Sequence, residues 1–145
     1  MTNRTAKIIW FTGLSGAGKT TLSNILYKKL NYKYKVKKID GDIFRKKNNI
    51  KKVFSKKNII FNNLKIIDLI EKNLNKYDFI LVSVISPLKK TRLLAKKKFN
   101  KFYYEVFVKC NFQTLNERDT KGLYHKANLG NLKLIGYNSK IKYEP

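Results

Sequence analysis

The chain has 145 residues, 43% of them hydrophobic, and sets 33 lysines and arginines against 9 acidic residues for a formal net charge of +24. That length fits one domain with a real core, and the apolar content excludes a disordered chain. No apolar run approaches the roughly 18–20 residues of a bilayer span, and the single cysteine, Cys110, excludes an internal disulfide. Cys110 reads as a small buried hydrophobe at a strand end. Arg4 and Lys7 lead through an apolar stretch straight into a glycine-rich loop rather than a cleavage site, so no signal peptide is read and the expected compartment is the cytoplasm.

The arginines are Arg4, Arg45, Arg92 and Arg118, and every other cation is lysine. The lysines run along the whole chain, in company with asparagine and isoleucine, residues that share A/T-rich codons. They are not interleaved with glycine and aromatics as in RNA-binding segments. The excess therefore reads as a solvated surface, and nucleic acid is not an expected partner. Its field still favours anionic ligands.

Residues 7–12 form an apolar β-run ending at a glycine. Residues 20–30 follow as a helix with Leu22, Ile25, Leu26 and Leu30 on one side. A second strand is expected over 34–39, and a basic, irregular or partly helical stretch over 46–57. A longer helix over 58–74 carries Ile60, Leu64, Ile67 and Leu74 on a stripe beside Ile66 and Ile70. Residues 79–85 are the strongest strand, apolar apart from Ser83 and ended by Pro87. A basic helix, a strand over 103–108 and a helix over 112–118 complete the pattern, and after Asp119 the chain is polar and punctuated by glycine. Strands alternating with helices predict an α/β fold, three layers around a mainly parallel sheet. Ligands of such folds bind beyond the carboxyl ends of the strands.

Three segments fall at that rim. The first, Gly13-Leu14-Ser15-Gly16-Ala17-Gly18-Lys19-Thr20, fits the phosphate-loop pattern G-x-x-x-x-G-K-[ST] in full. Its glycines let backbone N–H groups turn inward as an anion nest at a helix N-terminus. Lys19 would reach the β- and γ-phosphates of ATP, and the Thr20 hydroxyl would ligate Mg2+. A P-loop NTPase-type fold follows. The second segment, Asp40-Gly41-Asp42 with Arg45, offers carboxylates for a metal or a proton and a guanidinium for a phosphate or sulfate. A plain Asp-Gly turn is the alternative. The third is Ser86, after the third strand. His125 has no carboxylate or cysteine at ligand spacing and reads as solvated, and Tyr32 and Tyr34 as packing on the sheet edge.

The run Phe11-Thr12 through Thr20-Thr21-Leu22, then Asp40-Gly41-Asp42 with Arg45, Ile85-Ser86-Pro87, Glu105-Val106-Phe107-Val108, Arg118-Asp119, Lys121-Gly122-Leu123-Tyr124 and Tyr143-Glu144-Pro145 together resemble the adenylylsulfate kinase family. The resemblance implies transfer of a phosphoryl group from ATP, with Mg2+, to the 3′-hydroxyl of adenosine 5′-phosphosulfate in sulfate assimilation. It implies a catalytic Lys19, and an Asp40 that serves the metal or accepts the hydroxyl proton. Ser86 takes a catalytic or substrate-contact role beside Ile85. The loop residues, Thr21 and Arg118 would hold ATP. Asp42, Arg45, Phe54, Asn62, Lys121 and Lys133 would hold the phosphosulfate substrate. It further implies one kinase domain over 1–145, a mobile lid at about 119–137, and the absence of the family's last strand and helix. The strand over 103–108 then becomes a sheet edge, which invites a homodimer.

The chain departs from the family pattern at Ile59, where a second substrate-binding arginine is usual, and around residues 134–137, where a lid phenylalanine is missing. Two other readings stand beside the kinase. One is a related P-loop kinase with a different small-molecule acceptor, and the other a non-catalytic basic module that binds nucleotide or nucleic acid.

Overall fold

Lys7–Thr12 forms β1, whose Ile8, Trp10, Phe11 and Thr12 are all buried. In the computed structural model, which describes residues 5–50 and 55–145, three more strands join it in the order β2-β3-β1-β4, all parallel. They are β2 (Val36–Asp40), β3 (Phe79–Ser83) and β4 (Tyr103–Phe107). Isoleucine, valine and aromatics on the two central strands suit a sheet covered on both faces. Ile80, Leu81 and Val82 of β3 are fully buried.

One face carries the main core. Ile66, Ile67 and Ile70 of α3 (Lys56–Glu71) and Ala95 and Phe99 of α4 (Lys89–Phe99) pack there on Ile8, Trp10, Ile80, Val82 and Tyr103. The helical period of the isoleucines on α3 is what sets them on one side. Ser55 starts that helix earlier than its apolar stripe suggests, its hydroxyl accepting the Asn58 N–H at 3.1 Å. The opposite face receives α1 (Lys19–Leu30), which lies against β1, β2 and β3. Its cover is thin. Leu22 and Ile25, expected as core, are 42% and 50% exposed, because the side of α1 turned to the sheet carries Ser23 instead.

Two helices arise where a polar or irregular chain was expected. Gly41–Lys47 forms α2, because the Asp40 carboxylate caps it by accepting the N–H groups of Asp42 and Ile43. Leu123–Asn128 forms α6 after α5 (Phe112–Arg118), with the Asp119 carboxylate accepting the N–H groups of Tyr124 and His125 at 2.9 Å each. Both are capped by a side chain rather than announced by an apolar stripe.

The C-terminal segment is tied down by one guanidinium. Arg92 of α4, 3% exposed, donates to Glu105 of β4 at 3.0 Å and to the Ser86 carbonyl at 2.7 Å, donates also to the Glu144 carbonyl, and lies 4.9 Å from the centre of the Tyr143 ring. Tyr143 in turn bonds the Thr12 hydroxyl at 2.8 Å and stacks on Phe107. The strap therefore passes over the carboxyl ends of β1 and β4.

Where β1 leaves the sheet, a Cβ on Gly13 would stand 2.5 Å from the Val108 carbonyl oxygen, at a φ of 145°. Only glycine lets the loop turn beneath that peptide. Gly13→Ala is expected to lower the stability of the protein by roughly 1–3 kcal/mol through this overpacking, read as a lower urea midpoint with an unchanged m-value.

Candidate active site

Gly13, Gly16 and Gly18 all have positive φ, and the loop they shape runs from the end of β1 to the first turn of α1. Leu115 and Tyr124 pack beneath the Cα of Gly16, and the Tyr124 hydroxyl donates to the Ser15 carbonyl at 2.6 Å. Lys19 folds over the loop, its ammonium donating to the carbonyls of Gly13 at 2.9 Å and Leu14 at 2.7 Å. Burial, helped by the nearby Lys121 ammonium, pulls Lys19 from its ordinary 10.5 down to about 8, with Asp42 and Asp40 opposing the shift.

Beside the loop, the other Asp40 oxygen accepts the Thr20 hydroxyl at 2.9 Å. One carboxylate thus joins the tip of α1 to the start of α2. Across the cleft Asp42 pairs with Arg45 on its own helix and with Lys121 at 2.8 Å. The cleft between these walls measures about 140 Å3 and is lined by loop residues, Thr20, Thr21, Asp40–Asp42, Arg45, Ser83–Ile85, Thr120 and Lys121. Cations, an anion nest and two carboxylates in one recess suit a ligand with several phosphates or a sulfate.

The donor set also fits a magnesium ion. Thr20 and Asp40 supply hard oxygen ligands side by side, and Mg2+ takes few protein ligands beside substrate phosphates. No cluster of three or more His, Cys, Asp or Glu occurs among the described residues.

Other expected site residues lie elsewhere. Ser86 is 1% exposed and its hydroxyl donates to Asn63 at 2.5 Å and accepts from the Trp10 indole at 3.2 Å. In this network the Ser86 hydroxyl is engaged by Trp10 and Asn63 behind the cleft wall. Only its neighbour Ile85 lines the recess. Arg118 and Lys133 are exposed and stand outside the lining. Asn62 is buried within α3, and among the described residues its side-chain oxygen has no hydrogen-bond partner. Ile59, one turn earlier, packs with Leu88, Ile135 and Ile141 in a small apolar cluster. Phe54 falls outside the described residues.

The region read as a lid is built on packed residues. Tyr124, Ala127 and Leu134 pack with Ala17 and Leu115 beneath the phosphate loop, and Ile135 joins the cluster of Ile59. Sequence reasoning missed Ser83 and Thr120 as lining residues. The break that Ser83 makes in the apolar run of β3 was the available signal. Cys110 is half-buried, Tyr32 is 86% exposed, and Tyr34 packs edge-on against Phe79 at 5.2 Å.

Set against known proteins, residues 5–145 match the family profile described as adenylylsulphate kinase. The chain belongs to the adenylylsulphate kinase family. A probable adenylyl-sulfate kinase of Archaeoglobus fulgidus is 40% identical over 127 residues, 87% of this chain and 81% of the relative. One from Pyrococcus abyssi is 43% identical over 133 residues, 90% of this chain and 75% of the relative. Among solved structures, the APS kinase CysC of Mycobacterium tuberculosis in complex with AMPPNP and APS superposes with a TM-score of 0.87 at 31% identity, over 97% of this chain and 84% of that one. A gluconokinase from Sinorhizobium meliloti, 14% identical with a TM-score of 0.62, shares the fold alone. The α/β phosphate-loop architecture is therefore that of adenylylsulphate kinases, and no helix among the described residues is long and apolar enough to cross a membrane.

The depressed Lys19 has a measurable consequence. Its folded value lies below its ordinary one, so the unfolded chain holds more protons between pH 8 and 10.5, and the folded state gains stability as pH rises through that window. Nucleotide phosphates favour the charged ammonium, so binding of Mg·ATP at pH 8.5 is expected to take up protons. Titration calorimetry in two buffers of different ionisation enthalpy measures the uptake, and it is expected to vanish in Lys19→Met.

Proposed function

We propose that this chain transfers the γ-phosphoryl group of ATP to the 3′-hydroxyl of adenosine 5′-phosphosulfate, giving ADP and 3′-phosphoadenosine 5′-phosphosulfate. The observation that carries the reading is the convergence of the glycine loop, the Thr20–Asp40 pair and the Arg45 and Lys121 cations on one cleft of a chain belonging to the adenylylsulphate kinase family. Action in the cytoplasm, within sulfate assimilation, belongs to the same reading.

In that reaction the loop N–H groups and the α1 N-terminus bind the β- and γ-phosphates, and Lys19 leaves the loop carbonyls to neutralise them. Thr20 and Asp40 would hold Mg2+, which spreads the charge of the phosphate oxygens. The ribose oxygen forms its bond to γ-phosphorus as the bond from that phosphorus to the β–γ bridging oxygen breaks. The electron pair leaves with ADP, and the hydroxyl proton passes to a rim carboxylate, Asp40 or Asp42. Arg45 and Lys121 would turn from Asp42 to the phosphosulfate. The unpaired Asn62 oxygen supports a role as acceptor for an N–H of the substrate. Thr21 lines the nucleotide side of the cleft, while Arg118 and Lys133 would reach ATP and substrate only if residues 119–137 close over them.

ADP is expected to appear only when adenosine 5′-phosphosulfate is added to protein and Mg·ATP, and kcat is expected to fall at least a hundredfold in Lys19→Ala and in Asp40→Ala. Turnover with another alcohol and none with the phosphosulfate would overturn the assignment. Ile59 supports a weaker hold on the acceptor, because a missing charge-assisted contact is worth about 1.5–3 kcal/mol, one to two powers of ten in affinity. Restoring the cation is expected to fail. Ile59→Arg would bury a charge among Leu88, Ile135 and Ile141 and lower Tm without lowering the acceptor KM.

A further inference from the structure

Of the run Lys121-Gly122-Leu123-Tyr124, the proposed reaction uses only Lys121. Tyr124 lies in the first turn of α6 and is 3% exposed, a large polar side chain held beside the phosphate loop. Its place is fixed from two sides. The Asp119 carboxylate accepts its N–H at 2.9 Å, and the Tyr137 ring meets it edge-on at 5.2 Å. From there the Tyr124 ring reaches Gly16: a Cβ on that glycine would stand 3.6 Å from it, and Gly16 also lines the cleft. The hydroxyl goes one residue further back and donates to the Ser15 carbonyl at 2.6 Å. Burial, with Cys110, Asp119 and Tyr137 nearby, pushes that hydroxyl up to about 12, so it keeps the proton that this bond needs.

The bond matters through the geometry of one peptide. A trans peptide sets its C=O and its N–H on opposite sides, so an oxygen drawn toward Tyr124 aims the Gly16 N–H the other way, into the recess. The neighbouring carbonyls of Gly13 and Leu14 are held differently, by the Lys19 ammonium. That ammonium is the group a bound phosphate draws off, whereas Tyr124 stands behind the loop. We propose that Tyr124 is a positioning residue: its hydroxyl pins the Ser15–Gly16 peptide with the N–H facing the nucleotide phosphates, before and after Lys19 changes partners. The inference rests on the reading of the glycine loop as the seat of those phosphates. Without the hydroxyl the peptide is free to turn its carbonyl into the nest, where an oxygen repels a phosphate. Binding then has to select the correctly turned fraction, and the apparent affinity falls by that fraction.

The probe is Mg·ADP and the variant is Tyr124→Phe, which keeps the ring and removes one oxygen. The dissociation constant, measured by titration calorimetry, is expected to rise about three- to tenfold, the range of one neutral hydrogen bond. Tyr137→Phe is the control. That hydroxyl belongs to the same cluster, bonds Asn128 at 2.5 Å and, among the described residues, makes no bond to the loop, so its loss is expected to leave the constant unchanged. In nuclear magnetic resonance the Gly16 amide of nucleotide-free Tyr124→Phe is expected to shift or broaden relative to the parent. It is expected to return to the parent's position at saturating Mg·ADP, a recovery that a merely loosened core would not show. In the parent itself the Tyr124 hydroxyl proton is expected to exchange slowly with and without Mg·ADP, a measurement that needs no variant. Thermal unfolding well above the assay temperature establishes that both variants fold. Equal affinity in parent and Tyr124→Phe, equal losses in the two variants, an unmoved Gly16 amide, or a hydroxyl proton released when nucleotide binds would each overturn the proposal. A parent that binds no Mg·ADP would overturn the reading of the loop and take the proposal with it. No readout requires turnover of the phosphosulfate, so failure of that reaction and failure of this inference are told apart.

Discussion

The Asp40 carboxylate is the constraint from which the cleft is built. One oxygen caps α2 and the other receives the Thr20 hydroxyl, so two helices on separate strands are held at a fixed spacing by a single side chain. A charged acceptor bound to several donors is among the stronger hydrogen-bonded arrangements a surface-facing group can make. Everything else at the site is positioned relative to it. The loop ends where α1 begins, and α2 carries Asp42 and Arg45 outward to face Lys121.

Charge balance inside the cleft follows from the same layout. With carbonyl oxygens around Lys19 and the Asp42 carboxylate between Arg45 and Lys121, each cation has an internal partner of modest strength. Ion pairs with this much exposure are worth little, so exchange of Asp42 for a phosphate or sulfate costs little. The site is organised for anions yet not locked against them.

The phosphate loop was legible because four of its positions call for a narrow choice of residue: glycine for the left-handed turns, lysine for the charge, threonine or serine for the hydroxyl. The central strands were legible because a sheet covered on both faces demands apolar runs. What escaped was set by single side-chain caps, Asp40 for α2 and Asp119 for α6, which leave no periodic trace. Ser86 shows the same dependence on distant side chains. Its place after β3 suggests the rim, but the indole of Trp10 and the amide of Asn63, distant in the chain, draw its hydroxyl inward. α1 misled in the opposite direction. Leu22 and Ile25 have core periodicity, yet what covers a helix depends on neighbouring elements that its own sequence does not describe.

The Arg92 hub has one more consequence. A guanidinium sealed from water and shared by β4, the turn after β3 and the strap at Glu144 cannot lose one acceptor cheaply, since the charge would stay behind unsolvated. The strap is thus held to that corner as one unit rather than residue by residue. It detaches together with the α4–β4 corner or not at all, and because Tyr143 also grips Thr12, any such detachment is felt one residue before the phosphate loop begins.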